Sequence, residues 1–322
     1  MDPLDLEVEP FAHDPAHWGA SMVNDAELLV MCLEAAGART VVEVGAYAGD
    51  LTSLLSRWAA RHDARVWAID PAPQPELVAL AAADDRIELV RETSHAGLRS
   101  VPLPDVAILD GDHNHYTVSE ELRIIAERAG DDPLPLLLFH DVCWPHGRRD
   151  DYFDPELIPA DRRQPTAAGE TVYPGESGVG GGGLLYRWPA AREGGPGNGV
   201  LTAVEDFVAG RAGVRLAVVP AFFGLGVVWD VRAPWSDRLT ALLAPWDRNP
   251  VLERMEANRV LHLAAAQRAH QRAQRQEAVL RRLLASRAFT IAERLSRLRV
   301  RARVATDVSV VSKDEIRRAL GD

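Results

Sequence analysis

Two short polar runs hold residue types that can do chemistry. The first, Asp110-Gly-Asp-His-Asn-His-Tyr116, follows the apolar run Val106-Ala-Ile-Leu109, and the second, His140-Asp141, follows Leu136-Leu-Leu-Phe139. Carboxylates beside an imidazole form a donor set for a hard divalent ion such as Mg2+, which keeps several waters and needs few protein ligands. Asp110, His140 and Asp141 are therefore candidate metal ligands. His113 is the leading candidate base, because an imidazole with an ordinary pKa of about 6.5 takes up protons near neutrality and it follows Asp110 by three residues. His115 carries the same chemistry. A purely structural role competes: acids at strand ends also cap helices or accept backbone amides, with the histidines left facing solvent.

A third run, Val41-Val-Glu-Val-Gly-Ala-Tyr-Ala-Gly-Asp50, places two glycines four residues apart between an apolar strand and a helix. Glycine lets the backbone turn tightly and approach a ligand, while the helix start directs free amides and its positive end toward the same place. The helix reads directly from Leu51, Leu54, Leu55, Trp58 and Ala59, the apolar stripe of a helix lying on a sheet. A second apolar strand, Arg65-Val-Trp-Ala-Ile-Asp70, ends in a carboxylate 25 residues after Gly45. In α/β cofactor folds a group at that distance grips ribose hydroxyls. Together these features describe a nucleotide-cofactor loop, and their details favour S-adenosylmethionine.

The elements that must position these residues alternate. Asn24-Asp-Ala-Glu27 has the pattern of a capping box before a helix that Gly37 stops and that covers the edge of the first strand. Strands are expected at 41–44, 65–69, 86–90, 106–109 and 135–140, with helices at 50–60, 74–82 and 117–129 between them. This alternation implies a parallel sheet with both faces covered. A helix near 199–209 then precedes Arg215–Phe222 and Leu225–Val231, two strands joined so closely that they must pair antiparallel. The expected fold is Rossmann-like α/β: seven strands, mostly parallel, a terminal antiparallel hairpin, and a C-terminal helical extension.

Residues 143–198 are rich in Gly and Pro with little apolar periodicity, and they leave the end of the fifth strand. A loop this long inside a compact domain reads as a lid over the active site, with Gly180–Gly183 as its hinge. The expected organisation is an N-terminal helical cap at 1–40, a catalytic domain at 41–232 and a helical extension at 233–322. In that extension Leu280, Leu284, Ala288, Ile291, Leu295 and Leu298 form one apolar seam, read first as a homodimerisation surface and next as a surface that docks on the chain's own catalytic domain.

Composition sets the bounds. The 322 residues carry a net charge of −11, with 47% hydrophobic and 26% charged residues, ordinary for a globular protein. No run approaches the roughly 18 apolar residues of a membrane span, and the acidic N-terminus lacks a signal-peptide core, so a cytoplasmic location without membrane contact is expected. Cys32 and Cys143 read as free thiols. Fourteen arginines against four glutamates between Arg248 and Val304 leave the preceding residues strongly acidic. That core would repel nucleic acid.

On Glu43-Val-Gly-Ala-Tyr-Ala-Gly49, Asp70, Leu109-Asp-Gly-Asp112 and Phe139-His-Asp141, the sequence resembles class I S-adenosylmethionine-dependent methyltransferases over about residues 20–232. Within them it is similar to the metal-dependent sugar and natural-product O-methyltransferases of the macrocin and cephalosporin hydroxylase-like group. The resemblance implies that Glu43, Gly45, Ala46, Tyr47, Gly49, Asp70, Asp110 and Gly111 surround the cofactor. It also implies that Asp110, His140 and Asp141 take the metal-ligand positions and His113 the base position, with a small-molecule hydroxyl as acceptor. Tyr47 replaces the middle glycine of the commonest loop, and His140 stands where the subgroup usually has Asp. A nicotinamide-dependent dehydrogenase and a non-catalytic assembly partner are the rival readings.

Overall fold

The computed structural model describes residues 21–302 and 311–320. The first half of the expected N-terminal cap, including the acidic stretch without a signal core, lies outside the described residues. The described residues fall into two compact units, divided after Ala264.

The first unit alternates as its apolar periodicities require: α1 (Ala26–Ala36), β1 (Thr40–Val44), α2 (Asp50–His62), β2 (Arg65–Ile69), α3 (Pro75–Ala83), β3 (Ile87–Val90), α4 (Ser94–Ser100), β4 (Val106–Leu109), α5 (His115–Ala129) and β5 (Leu136–Phe139). After a long excursion holding β6 (Thr171–Val172) and β7 (Leu184–Leu185) come α6 (Val200–Ala209), β8 (Val214–Val219), β9 (Leu225–Asp230) and α7 (Ser236–Leu243). The main sheet has seven strands in the order β3-β2-β1-β4-β5-β9-β8. Pairing is parallel throughout except where β9 runs against β5 and β8. The expected hairpin-terminated sheet is the one observed.

Every residue of β4 and β5 is buried, which fits strands covered on both faces. One apolar layer joins α1, α2 and α7 to Val41, Val106, Ile108, Leu136 and Leu138. The other joins α4, α5 and α6 to Val42, Ala107, Leu109, Leu137 and Phe139. The α2 stripe of Leu51, Leu54, Leu55, Trp58 and Ala59 is buried as its spacing predicts.

Three local expectations fail. β1 sits in the middle of the sheet between β2 and β4, so α1 has no strand edge to cover and shares a layer with α2 and α7. The Asn24–Glu27 box does not form: a 3-10 turn over Met22–Asp25 starts one residue after Ser21, whose side chain accepts from the Val23 amide, while Asp25 makes no side-chain cap. α4 is a helix that the sequence does not announce, because Ser94-His-Ala-Gly-Leu-Arg-Ser100 is short and polar, with only Leu98 and Gly97 turned inward. Parallel β3 and β4 nevertheless require a crossover of that kind.

Residues 143–198 form an ordered excursion, not a bare loop. Arg149, only 1% exposed, donates from its guanidinium to the carbonyls of Ala190 and Ser177 at 2.6 and 2.8 Å. Asp150, fully buried, accepts from the amides of His115 and Gly199 and from the Tyr152 hydroxyl. It thereby ties the excursion to the starts of α5 and α6. The Gly180–Gly183 run is part of the turn between β6 and β7; a Cβ on Gly183 would lie 2.2 Å from the Val172 carbonyl oxygen. That contact explains the glycine by close packing, where the sequence reading had a hinge.

In the second unit, the remainder of α8 (Pro250–Ala285) is followed by α9 (Arg287–Arg301) and α10 (Lys313–Leu320). The single seam expected from 280 to 298 is broken at Ser286, whose side chain accepts from the Phe289 amide and opens α9 as a separate helix. α10 packs back on this pair: the Lys313 ammonium donates to the Leu284 carbonyl and the Lys313 amide to Glu293.

Candidate active site

The strand order switches from one side of the sheet to the other between the parallel neighbours β1 and β4, the point where open α/β sheets bind ligands beyond the carboxyl ends of their strands. The loops after β1, β4 and β5 meet there. Gly45 has φ 84°, and a Cβ on it would stand 2.1 Å from the Asp110 carbonyl oxygen. This glycine is required by the neighbouring strand-end loop as well as by its own turn. Gly111 packs against Val44, and Gly49, at φ 91°, forms the N-terminal cap of α2.

The other candidate cofactor residues divide by role. Asp70 accepts from the Tyr47 amide at 2.8 Å and the Ala72 amide at 2.7 Å, so its carboxylate ties the glycine loop to the turn after β2. A carboxylate has about four acceptor positions, leaving capacity for a ribose. Tyr47 adopts φ 42° and projects its ring outward, 64% exposed. Ala46 points the other way, into a small apolar cluster with Ala68, Leu77 and Ile87. Glu43 is buried beneath the loop, accepts from the Thr52 hydroxyl at 2.7 Å, and is pushed up to about 8 by burial.

The predicted chemical residues Asp110, His113, His140 and Asp141 come together. His113 Nε2 lies 3.4 Å from Asp110 Oδ1 and its Nδ1 lies 3.2 Å from Asp141 Oδ2. His140 Nδ1 faces the same two oxygens at 3.3 and 3.5 Å. Asp141 holds the left-handed conformation at φ 58°, a strained state for a non-glycine residue that is common at functional sites. Burial alone would lower both imidazole pKa values, but the two carboxylates outweigh it: His113 rises to about 9 and His140 well above its ordinary value. Burial would likewise raise Asp110 and Asp141, yet the imidazoles hold both carboxyls below the usual range.

His140 also tests whether a cation fits. Its Nε2 lies 2.9 Å from the Phe222 carbonyl oxygen, which can only accept, so Nε2 carries the proton. In the neutral ring Nδ1 is then a bare lone pair, buried without a hydrogen-bond partner and aimed at two carboxylates. Only a proton or a cation relieves that arrangement. Ligating histidines characteristically donate their other N–H to a backbone carbonyl, and ligand atoms of Asp110, His140 and Asp141 all lie within 4.8 Å of one another. The residues present fit a divalent ion.

His115 is not part of this group. It begins α5, with Nε2 3.0 Å from Asp206 Oδ2 and Nδ1 toward the Ser119 hydroxyl. His146, by contrast, escaped the sequence reading. It is buried, its ring 4.9 Å from that of His113, and it forms a second potential ligand trio with His113 and Asp141. Burial pulls it down to about 4. Its place five residues after Asp141 was the available signal, obscured because the segment read as a lid. Asp112, also in the polar run, accepts from the Phe153 amide and the Thr117 hydroxyl and fastens the excursion beside the site.

The sheet order, with the glycine turn after β1 and the acid after β2, is that of a Rossmann-like methyltransferase fold. Residues 42–142 match the family model described as a methyltransferase domain. No curated protein matches the chain. Among solved structures it is similar to the SAH-bound methyltransferase of Podospora anserina, at 13% identity over 66% of this chain and 80% of that one, with a TM-score of 0.40. It is also similar to a methyltransferase from Geobacter sulfurreducens (14% identity, 67% and 83% covered, TM-score 0.37). A third is an O-methyltransferase family protein from Burkholderia thailandensis (15% identity, 65% and 56% covered, TM-score 0.38). The family match spans residues 42–142, about a third of the chain.

Proposed function

We propose that this domain transfers the methyl group of S-adenosylmethionine to a hydroxyl of a small acceptor, a sugar or natural product. The observation that carries the reading is the convergence of Asp110, His113, His140 and Asp141 at the strand ends beside the Gly45 loop. The Gly45–Gly49 turn at the start of α2 would receive the cofactor, and Asp70 keeps acceptor capacity for its ribose. The acceptor oxygen attacks the sulfonium methyl in line; the new C–O bond forms as C–S breaks, releasing S-adenosylhomocysteine. Positioning accounts for most of such a rate enhancement.

Asp110, His140 and Asp141 would hold a divalent ion such as Mg2+. When bound, it supplies Lewis acidity that lowers the pKa of an acceptor hydroxyl. His113, held between Asp110 and Asp141, would take the acceptor proton in its neutral form. Residues 143–198, fastened through Asp112 and Asp150, form the acceptor side of the pocket. Isothermal titration with S-adenosylmethionine and S-adenosylhomocysteine tests the cofactor, and absence of binding to either would end the proposal. Methyl transfer that persists unchanged in chelator would remove the metal from it.

A further inference from the structure

In α9 the usual arrangement of a docked helix is reversed. Glu293 and Ser296 are buried on the side that meets α10, while Ile291, Leu295 and Leu298 are 58, 56 and 56% exposed. At 3.6 residues per turn these three residues share one face, which Ala288 extends. Arg287, Arg294 and Arg301 recur every seven residues along one flank, and Arg299 lies on the other. Five arginines stand against the single Glu293 in this helix, and that glutamate is engaged by Arg297 at 2.6 Å.

The charge pattern discriminates between occupants. A second copy meeting the same stripe would bring arginine rows together with no exposed acid on α9 to answer them, which like-charge repulsion disfavours. An apolar stripe bordered by arginines matches an anionic lipid surface, where the side chains enter the headgroup boundary and the guanidinium groups meet phosphates. No described helix is long and apolar enough to cross a membrane, so the mode is lying on the surface. We propose that α9 is an interfacial helix that docks the protein on anionic phospholipid bilayers. This replaces the homodimer seam and the absence of membrane contact expected from sequence, and it is independent of the methyl-transfer proposal.

The test is co-sedimentation of the full chain with phosphatidylcholine vesicles and with vesicles containing phosphatidylglycerol, at low and high salt. Binding is expected to the anionic vesicles only, falling at least tenfold in high salt. Leu295→Glu and the double change Arg294→Glu with Arg301→Glu should each weaken it at least tenfold, with helix content by circular dichroism unchanged. Equal binding to both vesicle types, or to neither, overturns the proposal. So does a concentration-dependent dimer in light scattering that Leu295→Glu dissociates, since the stripe would then cover a second copy.

Discussion

Glu256 on α8 lies outside the reacting cluster, yet the structure makes it a positioning residue for His140. Its carboxylate accepts from the Phe223 amide at 2.8 Å and the Phe222 amide at 3.2 Å, and the Arg259 guanidinium grips both of its oxygens at 2.6 Å. The Phe222–Phe223 turn holds φ values of 49° and 69°, and the carbonyl of Phe222 faces His140 Nε2. Glu256→Ala removes both acceptors: about 2 kcal/mol for the buried Phe223 amide and about 1 for the half-buried Phe222 amide, roughly 3 kcal/mol together. Urea unfolding should show that loss. With the Phe222 carbonyl released, His140 loses the bond that fixes its tautomer, and divalent-ion affinity measured by calorimetry should fall about 10- to 100-fold. Ring nitrogen NMR reports the tautomer independently. If Glu256→Ala is destabilised as calculated while the His140 ring signals and ion affinity stay at wild-type values, the positioning role is wrong.

Other outcomes follow from the same geometry. Gly45→Ala puts a Cβ 2.1 Å from the Asp110 carbonyl oxygen at a positive φ; we expect roughly 2–3 kcal/mol of destabilisation and loss of S-adenosylmethionine binding by titration calorimetry. Asp141→Asn leaves the backbone intact but removes the charge shared by His113 and His140. It should lower ion affinity at least tenfold, with smaller effects on cofactor binding, both read by calorimetry. Burial pushes Asp25, Glu43 and Glu121 up to about 7, about 8 and about 8. Folded pKa values above unfolded ones mean the folded state binds more protons, so this stability is fully present below about pH 4 and lost as pH rises through 7 to 8. The urea midpoint should fall from pH 6 to pH 8.5, and Glu43→Gln should flatten that decline.

What was legible in the sequence was whatever depends on local periodicity and strand-end position. β1, β2, β4 and β5 announced themselves as apolar runs, and α2 by its stripe. Asp110, His113, His140 and Asp141 were found because parallel strands must deliver their C-terminal ends to one side of a sheet. Where signals were short or non-local, reading failed. α4 has too few apolar residues to show a period, and the excursion at 143–198 takes its order from Arg149 and Asp150, whose partners are tens of residues away. His115 has the same side chain and nearly the same position as His113, but the start of α5 aims it at Asp206.

By itself, then, the sequence determined the sheet, its terminal hairpin and the strand-end acids, because hydrophobic period and crossover rules act over a few neighbouring residues. Only the tertiary structure decided which histidines meet those acids. His146 arrives from the excursion, and the His140 tautomer depends on a carbonyl in the β8–β9 turn, itself held by Glu256. Those contacts join residues far apart in the chain, where no spacing rule reaches; packing and the need to pair buried polar groups place them.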